Sequence, residues 1–415
     1  MNENFDITHL RKLAATGHPD ALYRLANQLV IAGMAEEAFS IHERAATAGH
    51  PHAQVECARM LMHGIGTDAS TDTAARWLAS SERQGNTVAS YHLALMKPTD
   101  EHSSRRLLAA VNAGYLPAIL ATAIHFGRRQ NQDDQALCLQ LLRLAAESGH
   151  KIAAQLLAER LKFGEGCDTD ENAAEHLISQ LDAAGAMRTP RIKAPAAFQT
   201  GISPGEIDLR DVLATPPRHQ LSPNPRISAV TGLLSADECR FLVASSISHL
   251  EHSKTVDPVT GNPQKLAIRT SRSVSHDPIT EDLTMRIIQH RIAAVAGIGL
   301  VNAESLVVLH YAPGEEYKPH RDYLPPGAIQ RDIPSAGNRL RTVCAYLNDV
   351  ESGGETHFPL LGITSKPMCG SAVIFDNLDA DGHPDPRTLH AGLPVKTGEK
   401  WLATLWFRQH QYRTF

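Results

Sequence analysis

Four residues in the last third of this 415-residue chain have types and spacing that could hold a metal ion and a small acid: His320, Asp322, His390 and Lys400. His320 and Asp322 stand two apart in "YKPHRDYLPPG", directly after the β-rich run "ESLVVLHYAPGEEYKPH". A rigid sheet could therefore present both side chains from its rim. The His-x-Asp pattern also occurs at His18-Asp20 and His383-Asp385, and context separates the three. The first belongs to a helical repeat turn, where the histidine caps or packs; the third sits in "LDADGHPDPRTLH", whose glycine and prolines make a loop. A centre of two histidines and one carboxylate needs its third ligand from another strand. His390 is the candidate, 70 residues beyond His320 and just ahead of the strand pair "GLPVKTGEKWLATLWFR". Two imidazoles and one carboxylate cover one face of a six-coordinate Fe(II), leaving three adjacent positions for a bidentate cosubstrate and dioxygen. Lys400 could neutralise the far carboxylate of a dicarboxylic acid such as 2-oxoglutarate, because a carboxylate inside a barrel needs a partner. His310, His357 and His383 lie near these positions and are read as packing or turn residues.

The elements that must position these groups follow from the texture of the second half. Beyond Arg226, the segments "SLVVLHYAP", "LRTVCAYLNDV", "SAVIFDNL" and "KWLATLWFR" alternate with turns, a spacing that suggests a barrel or jelly roll. "SADECRFLVASSISHL" at 235–250 reads as an amphipathic helix capped by Ser235. The first half repeats itself instead. "ATGHPDA", "TAGHPHA", "RQGNTVA", "NAGYLPA" and "ESGHKIA" each carry Gly followed four residues later by Ala, and the glycines at 17, 49, 85, 114 and 149 are spaced by 32, 36, 29 and 35 residues. This is a helix-turn-helix period. Gly closes one helix in a left-handed cap, and Ala begins the next where two helices cross too closely for a larger side chain. Between the halves, residues 187–226 carry seven prolines and no sustained period, which reads as a linker.

Forty basic and 45 acidic side chains give a formal charge of -5, without the basic excess that phosphate neutralisation calls for, so nucleic acid is not expected as a partner. No apolar run approaches the length of a membrane span, and the N-terminus has no basic-then-apolar secretory pattern. The six cysteines show no C-x-x-C pairing, so reduced thiols and a cytoplasmic location are expected.

With these residues in view, two resemblances emerge. The repeats, together with "HGIGTD" at 63–68 and "FGEGCDTD" at 163–170, resemble the Sel-one-like branch of the tetratricopeptide superfamily. "LHYAPGEEYKPHRDY", "LRTVCAYLNDVESGGETHFP" and "GSAVIFDNLDADGHPDPRTLHAGLPVKTGEKWLATLWFR" resemble the catalytic core of the prolyl 4-hydroxylase family of Fe(II)/2-oxoglutarate dioxygenases. The organisation implied is an all-α helical-repeat solenoid over 1–187, a Pro-rich linker over 188–225, and a double-stranded β-helix, a jelly roll with flanking helices, over 226–415. The second resemblance implies His320, Asp322 and His390 as iron ligands and Lys400 as the 2-oxoglutarate anchor, with Tyr311 and Thr342 helping to hold the cosubstrate. Tyr317, Arg339 and Trp406 match residues facing the substrate groove, and Arg269 and Ser271 match a loop near it. Arg321 between the first two ligands and the insertion "LPPGAIQRDIPSAGN" depart from the family pattern. The implied reaction couples oxidative decarboxylation of 2-oxoglutarate, with dioxygen and Fe(II), to hydroxylation of a C–H bond; ascorbate is a plausible reductant. The leading expectation is a hydroxylase of a prolyl residue in a protein or peptide, docked by the repeats. Two others stand beside it: a hydroxylase of a free amino acid or small metabolite, and a non-catalytic adaptor.

Overall fold

Every one of the repeated glycines adopts a backbone conformation closed to most side chains. Gly17, Gly49, Gly85, Gly114 and Gly149 have φ between 76° and 91°, and a Cβ on any of them would meet nothing within 4 Å, so backbone conformation rather than space requires glycine there. The alanines four residues on, Ala53, Ala89, Ala118 and Ala153, are fully buried. The structure is a computed structural model, and it describes residues 7–129, 131–192, 203, 205–253, 255–256, 263–264 and 269–413. Its contacts separate a unit ending at Ala118 from a unit spanning Ile119–Arg413.

The first unit is helical. Pro19–Ile31 packs on Ala35–Thr47, Pro51–His63 on Thr71–Arg83, and Thr87–Met96 on Ser103–Asn112, the antiparallel pairs that the repeat predicts. In the second repeat the histidine of "GHPHA" caps a helix. His50 Nδ1 accepts from the Ala53 amide at 3.1 Å while its Nε2 lies 3.0 Å from Asp20. His18 itself stands at the N-cap position of Pro19–Ile31 with an exposed side chain that makes no capping hydrogen bond, so the capping or packing expected of it is not seen, and Asp20 pairs with His50 instead. Gly66 of the "GIG" turn comes so close to the preceding helix that a Cβ would lie 2.2 Å from the Ala35 carbonyl oxygen.

The second unit combines helices and sheets. Gln132–Glu147, Lys151–Phe163 and Glu171–Ala183 continue the helical pairs, and Lys151–Phe163 packs against the helix Ala236–Ser246. Buried ions join them. Arg240 donates to both Glu165 oxygens at 2.6 Å, Arg160 Nε to Asp237 Oδ2 at 2.9 Å, and Arg128 and Arg291 reach Glu238 at 2.7 and 2.5 Å. Ser235 and Glu238 form a reciprocal capping box at the start of that helix. The stretch 188–225, expected as a linker, lies partly outside the described residues. Its described part includes a short 3-10 helix, Leu209–Leu213.

Sixteen strands follow among the described residues. The first eight are β1 (His219–Pro223), β2 (Arg226–Val230), β3 (Glu251–His252), β4 (Thr255–Val256), β5 (Pro263–Gln264), β6 (Arg272–His276), β7 (Leu306–Tyr311) and β8 (Tyr317–His320). The rest are β9 (Arg339–Tyr346), β10 (Ser352–Gly353), β11 (Thr356–Phe358), β12 (Ile363–Ser365), β13 (Ala372–Asp376), β14 (His390–Gly392), β15 (Val395–Thr397) and β16 (Lys400–Arg408). An eight-stranded antiparallel sheet runs β1-β2-β13-β9-β16-β7-β6-β3, and a four-stranded one β12-β11-β14-β8. Alternation decides what lies between them. Leu309, Tyr311, Cys344, Tyr346, Val373, Phe375 and Leu402 of the large sheet pack with Phe358 and Val395, while the large sheet's other face meets the helices Ala236–Ser246 and Leu283–Ala296. This is the jelly-roll architecture read from the strand spacing, with crossovers between non-consecutive strands.

Candidate metal centre

His320 ends β8 and His390 begins β14, and the two are direct cross-strand partners. That register puts both side chains in one layer, their ring centroids 4.3 Å apart. Asp322, two residues beyond His320, turns back into the same space: its Oδ1 lies 3.6 Å from His320 Nε2 and its Oδ2 3.8 Å from His390 Nε2. One ligand atom from each of the three side chains falls within 4.8 Å of the others.

Hydrogen bonds decide which imidazole nitrogens are available. His320 Nδ1 is 2.9 Å from the Lys318 carbonyl oxygen, and His390 Nδ1 is 2.9 Å from that of Thr388. A carbonyl only accepts, so each ring carries its proton on Nδ1 and turns a bare Nε2 lone pair inward. Burial, reinforced by the neighbouring His390, lowers His320 to about 3, which keeps its ring neutral at physiological pH. Burial alone would raise Asp322, but the two imidazoles and the Arg339 guanidinium outweigh it and hold the carboxyl at about 2. Two imidazoles presenting Nε2 and an ionised carboxylate are the donors a divalent iron takes, so the residues present fit the metal that the resemblance implies.

Aromatic walls fix the rings. Phe375 lies 4.6 Å and Phe358 5.5 Å from His390, and Tyr317 stacks on His320 at 3.4 Å and 13°. Arg269 holds its guanidinium carbon 4.9 Å from the centroid of the same Tyr317 ring, a cation–π contact.

Behind the three donors lies a cavity of about 40 Å³, and Lys400 lines it. Lys400 opens β16 opposite Tyr311 of β7, is 1% exposed, and holds its ammonium 5.3 Å from the Tyr311 ring and 5.6 Å from that of Tyr346. Among the described residues no carboxylate forms an ion pair with it, and burial lowers it to about 8. A buried cation without a counter-ion is poised to receive an anion. Tyr311 also lines the cavity, its hydroxyl within reach of Ser271 and Arg269.

The remaining expected residues fall in different places. Tyr317, Arg269 and Trp406 line the cavity. Arg339 lies behind it: its guanidinium is held by Glu304 at 2.7 and 2.6 Å and stacks 4.1 Å from the Trp406 ring, so it braces the indole. Ser271 is 1% exposed and bonds Ser253 at 2.9 Å. Thr342, expected at the cosubstrate, is fully buried and gives its hydroxyl to Asp322 Oδ2 at 2.8 Å. A threonine that does line the cavity is Thr356, whose hydroxyl accepts from Tyr346 at 2.8 Å and which stands opposite Gly392 in the small sheet. Sequence reasoning passed over Thr356, although "SGGETHFP" holds it; inward alternation with Phe358 was the available signal.

The jelly roll and its three-donor centre define a class of iron oxygenase, and comparison narrows it. Residues 306–408 match the family described as the 2OG-Fe(II) oxygenase superfamily. A probable prolyl 4-hydroxylase 10 of Arabidopsis thaliana is 35% identical over 212 residues, covering 46% of this chain and 72% of the relative. Among solved structures, the viral collagen prolyl hydroxylase vCPH of Paramecium Bursaria Chlorella virus-1 is 30% identical with a TM-score of 0.34, covering 44% of this chain and 95% of that one. A Sel1 repeat protein of Oxalobacter formigenes is 18% identical with a TM-score of 0.37, over 42% of this chain and 74% of that one. The chain belongs to the 2OG-Fe(II) oxygenase superfamily and, within it, to the prolyl 4-hydroxylase family. The adaptor alternative falls with that membership, which makes the protein a 2-oxoglutarate-dependent dioxygenase.

Proposed function

We propose that the protein hydroxylates a prolyl residue of a protein or peptide, using dioxygen and 2-oxoglutarate, with the helical repeats as the docking module. The observation that carries the reading is Lys400, a buried ammonium with no carboxylate ion pair among the described residues, in the cavity that the three donors face. Bound Fe(II) would supply the site of dioxygen activation; of the four electrons dioxygen takes up, two come from 2-oxoglutarate as it is oxidised to succinate and carbon dioxide and two from the substrate C–H bond. The chain's own work is positional. His320, Asp322 and His390 would hold the ion, Lys400 would hold the far carboxylate of 2-oxoglutarate, Thr356 and Tyr311 would supply hydroxyls beside it, and Trp406, Tyr317 and Arg269, which line the same cavity, would face the substrate. Apolar side chains such as Leu309 and Leu402 keep water out. A cytoplasmic setting is supported by six free cysteines, and a reducing milieu with ascorbate or a similar reductant would keep the iron ferrous.

The full chain, mixed with Fe(II), 2-oxoglutarate and proline-containing polypeptides, should release succinate and add the mass of one oxygen atom to a proline. His320→Ala should do neither; full turnover by that variant contradicts the assignment. A protein substrate with a KM well below that of its own isolated prolyl peptide would support docking by the repeats. Free proline turned over with equal kcat/KM would favour a small-metabolite substrate.

A further inference from the structure

Thr342 occupies a position that no cavity-lining role explains. It lies in the middle of the large sheet on β9, opposite Phe375 of β13 on one side and Trp406 of β16 on the other, and is fully buried. Its Oγ1 is 2.8 Å from Asp322 Oδ2 and 2.9 Å from Asn377 Nδ2. The direction of both bonds is set by chemistry. The Asp322 carboxylate only accepts, so the Thr342 proton points at it; the Asn377 amide nitrogen only donates, so it fills the threonine oxygen's acceptor site. Asn377 is itself anchored, its amide on the Leu340 carbonyl at 2.8 Å and its carbonyl accepting from Asp385 at 3.0 Å. A β-branched threonine on a central strand has little rotamer freedom. The chain Asn377–Thr342–Asp322 is therefore a rigid relay ending on one oxygen of the carboxylate.

We propose that this relay makes Thr342 and Asn377 positioning residues for the metal: the hydrogen bond from Thr342 fixes the rotation of the Asp322 carboxylate and draws on the electron density of Oδ2, so that Oδ1 would be the better donor to the ion. A carboxylate free to rotate would offer both oxygens and take up a position that the metal needs open for its cosubstrate. A hydrogen bond on Oδ2 from the protein's own sheet opposes that by holding the carboxylate in one orientation. The relay also ties the least regular ligand to the most rigid element. His320 and His390 sit on paired strands, whereas Asp322 lies beyond the end of β8, and Thr342 supplies the link to the large sheet that β8 lacks.

The inference rests on the metal-centre reading above, and its test separates the two. The full-length protein is titrated anaerobically with Co(II), following affinity by calorimetry and coordination by the visible d–d absorption. Thr342→Val, which removes only the hydroxyl, should weaken Co(II) binding about 10–100-fold and alter the d–d spectrum; Thr342→Ser should restore both. Asn377→Ala, which frees the hydroxyl to rotate away, should weaken binding several-fold and decides the matter should the valine variant not fold. Wild-type affinity and spectrum in Thr342→Val, or in Asn377→Ala where the valine variant fails to fold, would overturn the relay while leaving the centre intact, as would a serine variant no better than the valine. A wild-type chain that binds no Co(II) would overturn the centre and the relay together.

Discussion

At the scale of the residue, the account turns on which atoms are left unsatisfied. The two imidazoles spend Nδ1 on carbonyls, and buried Lys400 forms no ion pair among the described residues, so three lone-pair donors and one cation face the cavity. Lys400→Met should weaken 2-oxoglutarate binding by about 1.5–3 kcal/mol, the worth of a charge-assisted hydrogen bond, while leaving metal affinity in the absence of the acid unchanged; calorimetry reads both. The pH dependence has a definite sign. Lys400 loses its proton as pH rises through about 8, so 2-oxoglutarate affinity should be level just below that pH and fall about tenfold per unit above it. An affinity flat up to pH 10 would contradict the anchor. His320, Asp322, His390 and Lys400 were legible in the sequence because their side-chain types are themselves the chemistry. The places of Thr342 and Thr356 were not legible from spacing, because a hydroxyl is chemically ambiguous until its partner is known. Thr342 meets Asp322 across 20 residues of chain.

At the scale of the element, the centre depends on β8 and β14 being paired in one register, since a one-residue slip would turn His390 to the opposite face. The glycine pair of "SGGET" supports that arrangement. Gly353 has φ of 80°, and a Cβ there would lie 2.2 Å from the Pro394 carbonyl oxygen, while Gly354 has φ of 73° and packs on the Lys400 stem. Gly353→Ala should therefore destabilise the protein by about 2 kcal/mol or more, from the left-handed backbone cost and the displaced β15; a thermal melt with an unchanged midpoint would refute this. The strands themselves were visible in the sequence as β-branched and aromatic runs, and the helical repeat as its glycines. Their order was not. The β1-β2-β13-β9-β16-β7-β6-β3 sequence of the large sheet joins segments up to 150 residues apart, and no local pattern encodes such pairings.

At the scale of the whole molecule, the unit that carries the centre begins at Ile119, well before the prolines that looked like the natural border. Arginine-carboxylate contacts spanning 75 to 110 residues hold it together, and such contacts leave no mark on composition or periodicity. Arg240→Met removes one partner from a buried cluster and should cost about 3–5 kcal/mol, seen as a lowered unfolding midpoint. Glu238 adds an acid dependence. Burial works to raise its carboxyl, but Arg128 and Arg291 outweigh burial and hold it at about 2. Its stabilising contribution is complete above the ordinary glutamate value and lost as pH falls through the folded one, so stability should decline from about pH 4.5 downward. Glu238→Gln should flatten the decline over that window in urea titrations; an unchanged slope would remove Glu238 as its source.

The most direct test is an anaerobic calorimetric titration of the full chain with Fe(II), wild type against His390→Ala. One ion per chain in the wild type, with binding lost in the variant, is the predicted result. Equal binding by both proteins would show that residues 320, 322 and 390 do not share an ion.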